Sequence, residues 1–228
     1  MLNEPSVNRI APGKRPWIKI CGLTDPDNAL ACAKLRPDAI GLVFYEKSPR
    51  DVTLDRAARI TKILPRHILT IGVFVDNSFK DIMEKVKGCA LKGVQLHGRE
   101  SSELVDQLKK EHLFVIKALF AAKEPSLSRA KEYSTASALL LEYGKGILPG
   151  GNTESWNYEL SRQINTKSPI IIAGGLSPDN VTKAVKTARP FGVDVSSGVE
   201  KSPGMKDVHK VGAFIARINA LMDPSQKA

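Results

Sequence analysis

One rhythm constrains this chain more than anything else in it. A short run of β-branched and other apolar residues returns every twenty to thirty residues or so, and amphipathic stretches fill the intervals. The candidate strands are Trp17–Ile20, Ala39–Phe44, Leu69–Val75, Gly93–Leu96, Phe114–Ala118, Ala138–Leu141, Pro169–Ala173 and Val193–Val195. They are apolar on both sides, as parallel strands covered by helices must be. Helix starts are marked between them. Asp25-Pro26-Asp27 precedes Asn28–Leu35, and Ser177-Pro178-Asp179 precedes Asn180–Ala188, each joining a cap to an early proline. Thr53, Ser101 and Asp207 stand before Leu54–Ile63, Ser102–Glu111 and Val208–Leu221.

Eight strands each followed by a helix, within 228 residues, predict a compact (β/α)8 TIM barrel in one domain. The expected barrel spans residues 17–222, between a flexible N-terminal tail, 1–16, and a short C-terminal tail, 223–228. An open doubly wound sheet is the competing architecture, but it carries its glycine-rich loop after the first strand. Here the glycine turns come late, at Gly174-Gly175 and Ser196-Ser197-Gly198, where barrels build phosphate sites after strands seven and eight.

Composition narrows the class further. No apolar run reaches the roughly 18 residues that span a bilayer, and the first sixteen residues lack an apolar core of the secretory kind. Three cysteines, an odd number without metal-ligand spacing, fit a reducing, cytoplasmic setting. The net charge of +10 invites nucleic acid, yet the basic residues are spread out in pairs such as Lys109-Lys110, with no recognition motif. An anionic small substrate is the preferred account of that charge.

The chemistry-bearing segments lie at strand ends. Cys21 follows the first strand on a glycine turn, where a thiol can serve as base or nucleophile if its surroundings help it ionise. Arg50, in Ser48-Pro49-Arg50 after strand two, can clamp a carboxylate or phosphate with its planar fork. Gln95 and His97 alternate to one side of strand four's end, as site-lining residues or as a satisfied core pair. Gly174 and Gly175, then Ser197 and Gly198, form two adjacent turns whose backbone N–H groups can approach an anion.

Together these segments resemble the phosphoribosylanthranilate isomerase family of tryptophan biosynthesis. The matching stretches are Lys19–Thr24, Phe44–Arg50, Gly72–Asp76, Val94–Gly98, Ile116–Ala118, Ala173–Leu176, Val193–Glu200 and Pro203–Asp207. The resemblance implies an Amadori rearrangement of a phosphorylated small-molecule substrate, with no metal, no organic cofactor and neither nucleic acid nor membrane as partner. It implies Cys21 as general base, Arg50 on the anthranilate carboxylate, Gln95, His97 and Asp194 around the substrate, and Gly174, Gly175, Ser197 and Gly198 on the phosphate. A monomer or homodimer is expected.

Strand six departs from the family. The general-acid aspartate is replaced by Glu142, the loop reads Gly150-Gly151-Asn152-Thr153, and Trp156-Asn157-Tyr158 stands where the family has Phe-Asp-Trp. Glutamate keeps the carboxyl and adds a methylene. The first reading keeps the isomerase with Glu142 as acid. The alternative is a diverged member that acts on a different phosphosugar or N-glycosyl phosphate, or binds one without turnover.

Overall fold

The structure, a computed structural model, describes residues 15–144 and 155–221. Eight parallel strands close into a barrel in chain order. They are β1 (Trp17–Cys21), β2 (Ala39–Phe44), β3 (Leu69–Phe74), β4 (Gly93–Leu96), β5 (Phe114–Phe120), β6 (Ala138–Glu142), β7 (Ile170–Ile172) and β8 (Gly192–Val195). The barrel closes where β8 pairs with β1, Ile18 opposite Val193 and Lys19 opposite Asp194.

Each strand buries both faces, which is why the runs are mostly apolar. Ala39, Ile71, Ile116, Ala118, Leu140 and Ile171 fill the barrel interior. Their neighbours in sequence, such as Ile40, Val115, Leu139 and Ile172, face outward under the helices. The helices are α1 (Pro26–Ala33), α2 (Leu54–Ile63), α3 (Phe79–Gly88), α4 (Ser102–Lys110), α5 (Val181–Ala188) and α6 (Val208–Ala220). Asp25, Thr53, Ser78, Ser101 and Asp207 cap five of them, each side chain accepting a first-turn N–H.

The expectation of an α-helix after every strand fails at two places. β5 and β6 are followed, among the described residues, by 3-10 segments, Leu127–Tyr133 and Tyr158–Gln163. Their buried anchors, Ala130 with Tyr133 and Tyr158 with Ser161, are three residues apart, the repeat of the tighter helix. The loop Gly150-Gly151-Asn152-Thr153 and most of both tails lie outside the described residues. Arg15, counted with the tail in the sequence reading, is docked: its guanidinium pairs with Asp38, which also accepts from Ile18 N–H at 2.7 Å.

A hairpin follows β8, made of β9 (Glu200–Ser202) and β10 (Met205–Lys206), with Gly204 turning at φ 80°. It is sewn to the first βα unit. Asn28 pairs both ways with the Lys206 backbone, and Thr24 Oγ1 donates to Gly204 O. This brings Glu200 and Lys206 to the mouth of the barrel.

Candidate active site

At the C-terminal ends of the strands lies a cavity of about 760 Å³, part of it open to solvent. Its wall contains Cys21, Arg50, Gln95, His97, Glu142, Gly174, Gly175, Asp194 and Ser197, residues up to 176 positions apart in sequence. Gly198 is the exception among the expected site residues. It packs where the two glycine turns meet, and a Cβ there would collide with the Leu176 carbonyl oxygen. Its part is to let the turns approach each other.

Cys21 ends β1 with its side chain on the inner face, and Lys19 lies one layer below it. Lys19 is fully buried and donates from Nζ to Asp194 Oδ1 at 2.9 Å. Burial pushes the Cys21 thiol above its ordinary value, with Lys19 pulling the other way. Burial pulls the Lys19 ammonium down, but Asp194 and Cys21 outweigh it and the net direction is up.

Glu142 ends β6 on the opposite wall. Its Oε2 lies 3.1 Å from His97 Nε2, off the line of a good hydrogen bond. Gln95 Nε2 donates to His97 Nδ1 at 3.0 Å, so the ring hydrogen sits on Nε2, toward Glu142. Gln95 Oε1 and His97 Nε2 are buried with no hydrogen bond among the described residues. Buried polar atoms are ordinarily satisfied, and both residues line the cavity. The longer side chain of Glu142 finds its space at Gly174, whose φ is 82°: a Cβ there would come within 2.9 Å of Glu142 Cγ.

Arg50 is held at the rim by a residue that the sequence reading quotes only as part of a motif. Its Nε and Nη2 donate to the two oxygens of Glu200, at 2.9 and 2.6 Å. Glu200 Oε1 also accepts from Lys206 Nζ at 2.7 Å, and Lys206 donates on to the Ser196 carbonyl and hydroxyl. Burial pushes Glu200 up, but Arg50 and Lys206 outweigh it and its carboxyl sits below the usual range. Ser196 Oγ donates to Cys21 O, so the chain of contacts links the rim arginine to the backbone of β1.

The two turns are braced from behind. Trp156 Nε1 donates to Ala173 O at 2.8 Å and the Tyr158 hydroxyl to Gly174 O at 2.5 Å. Asn180 bridges Gly175 O and Ser177 N–H. The altered triplet Trp156-Asn157-Tyr158 therefore pins the first glycine turn, while Asn157 accepts from Glu159 N–H within its own 3-10 segment. Lys19 and Glu200 were visible in sequence as charges in an apolar run and after a serine-glycine turn. Their partners lie too far along the chain to be read.

Comparison with known proteins agrees with this geometry. Residues 18–217 match the family model described as N-(5'phosphoribosyl)anthranilate isomerase. An N-(5'-phosphoribosyl)anthranilate isomerase of Desulfatibacillum aliphaticivorans is 49% identical over 198 residues, covering 87% of this chain and 90% of that one. One from Geotalea uraniireducens is 42% identical, covering 90% and 98%. A phosphoribosyl anthranilate isomerase structure from Thermotoga maritima superposes with a TM-score of 0.82 at 35% identity, covering 90% and 99%. Another solved isomerase, in complex with reduced 1-(o-carboxyphenylamino)-1-deoxyribulose 5-phosphate, gives 0.79 at 34%, with the same coverage. With a barrel, a mouth and relatives of this kind, the chain belongs to the N-(5'-phosphoribosyl)anthranilate isomerase family.

Proposed function

We propose that the chain converts N-(5'-phosphoribosyl)anthranilate to 1-(2-carboxyphenylamino)-1-deoxyribulose 5-phosphate, with Cys21 as base and Glu142 as acid. The observation that carries the reading is that Cys21, Glu142 and both glycine turns line one cavity. Protonated Glu142 gives its proton to the ring oxygen as the C1–O bond breaks, and the nitrogen lone pair forms the iminium. The Cys21 thiolate then takes the C2 proton, and the C–H electron pair becomes the C1–C2 double bond as the nitrogen is neutralised. Tautomerisation of the enolamine gives the ketose.

Gly174, Gly175 and Ser197 suit the phosphate because glycine lets backbone N–H groups approach an anion closely. Arg50, aimed by Glu200, meets the anthranilate carboxylate with its remaining donors. Gln95 and His97 offer their unpaired atoms to the sugar hydroxyls, and Gly198 acts by packing. No helix among the described residues is long and apolar enough to cross a membrane, and we place the enzyme in the cytoplasm. Purified protein should quench the fluorescence of phosphoribosylanthranilate. Glu142→Ala should lose on the order of 10²–10⁴-fold in kcat, the usual share of a general acid. An active Glu142→Ala removes Glu142 from the role, and an inert wild type that still binds the reduced product analogue leaves a binding protein.

A further inference from the structure

Lys19 occupies a place where an ammonium is costly unless paired, fully buried inside the barrel beneath the cavity. Its partner is settled by register, because Asp194 stands directly opposite on β8. Cys21 is two residues further along β1, so its side chain leaves the strand on the same face. Gly41, opposite Cys21 on β2, leaves open the space where the two side chains meet. A Cβ on Gly41 would come within 2.8 Å of Cys21 Sγ and 3.2 Å of Lys19 Nζ. Ammonium and thiol therefore crowd over the same glycine.

We propose that Lys19 is a positioning residue for proton transfer: Asp194 holds its ammonium beside Cys21, where it favours the thiolate that takes the substrate's C2 proton. The inference rests on the reading of Cys21 as the base. In the step, the sulfur gains the C2 proton, the C–H pair passes into the C1–C2 bond, and Lys19 keeps its three protons throughout. The charged groups around Cys21 are Lys19 on β1, Asp194 on β8, Lys206 on β10 and Arg50 beside Gly22, with His97 and Glu142 across the cavity. Of these, Lys19 is the strongest influence favouring the thiolate; Asp194 opposes it, and Lys206 adds a smaller pull. Asp194 thus has two effects, fixing the ammonium in place and raising the cost of a second negative charge.

A purely structural Lys19, serving only to neutralise Asp194, predicts a different outcome, and thiol chemistry separates the two. Iodoacetamide alkylation of the intact chain, followed against pH with the adduct assigned by peptide mass, reads Cys21 directly. Cys32 and Cys89 are buried away from the cavity wall. Lys19→Met should move the midpoint of Cys21 alkylation up by about one pH unit or more, and Asp194→Asn should move it down, as expected for removing an attractive and a repulsive charge at close range. In turnover, Lys19→Met should lower kcat at least tenfold while KM stays within about threefold. Midpoints that stay put, or that both move the same way, overturn the proposal. If Lys19→Met does not fold, Lys19→Gln, which can still hydrogen-bond Asp194 but carries no charge, takes its place: an upward shift supports the proposal and an unmoved midpoint refutes it. Alkylation needs no turnover, so an inert wild type would count against the isomerase reading while leaving this test intact.

Discussion

Gly174→Ala tests the arrangement that lets a glutamate stand at the end of β6. The added Cβ would sit 2.9 Å from Glu142 Cγ, against about 3.5–4.0 Å for an ordinary carbon–carbon contact. The carboxyl-bearing side chain must then retreat by about 0.6–1.1 Å, since the backbone on the other side belongs to a braced turn. A misplacement of about 1 Å in a reacting group costs on the order of 100-fold, or about 2.7 kcal/mol of transition-state stabilisation. Separately, alanine at φ 82° carries left-handed strain of about 1–2 kcal/mol, a melting-temperature loss of roughly 2–8 °C for a chain of this size. The assay is kcat from the loss of substrate fluorescence, with KM and thermal unfolding measured alongside. We expect kcat near one-hundredth of wild type in a folded protein with modestly lowered stability. A folded variant with raised KM but kcat within threefold of wild type would refute the reasoning, because it would mean either that Glu142 does not move or that it does not donate the proton.

Three other outcomes follow from the same structure. Because burial holds the Cys21 thiol above its usual range, the rate of Cys21 alkylation by iodoacetamide should still climb about tenfold per pH unit from pH 7 to 9; a plateau by pH 7.5 refutes the raised thiol. Cys32 is pushed up by burial to about 11. The neutral thiol therefore favours the fold below about pH 8.5, and that contribution fades as pH rises toward 11. The unfolding midpoint of wild type should accordingly approach that of Cys32→Ala across this window. Glu200→Gln strips the carboxylate from buried Lys206 and releases Arg50, so we expect a loss of about 3–5 kcal/mol in denaturant unfolding and a raised KM. Unchanged stability would show that the carboxylate charge contributes nothing there.

The strands could be read from sequence because a doubly buried strand is apolar at most positions, broken only by single polar residues such as Lys19 and Lys117. Their observed ends fall within two residues of the runs predicted. Leu127–Tyr133 and Tyr158–Gln163 were harder, because anchors three apart over six or seven residues give too few repeats to separate a 3-10 segment from a short α-helix. The cavity wall was legible through motifs at strand ends, and alternation alone put Gln95 and His97 on one side of β4. The network behind the wall was not. Lys19 finds Asp194, and Arg50 finds Glu200, across more than a hundred residues, and only the closed register says which charges meet. Gly198 carries a constraint the motif did not reveal, since a side chain there would strike the Leu176 carbonyl oxygen.

The pairing of β1 with β8 has a further consequence. The thiol and its lysine neighbour come from the first strand, while the carboxylate that fixes the lysine comes from the last, 175 residues after Lys19. A growing chain can build most of the sheet and still have no working centre, because the final strand must dock against the first to complete it. We expect open arcs of this barrel, whether nascent, truncated or split, to leave Lys19 without its counter-ion and to be catalytically silent. Turnover thus doubles as a reporter of ring closure, and recovery of activity during refolding should keep step with the joining of the two ends rather than with the appearance of secondary structure.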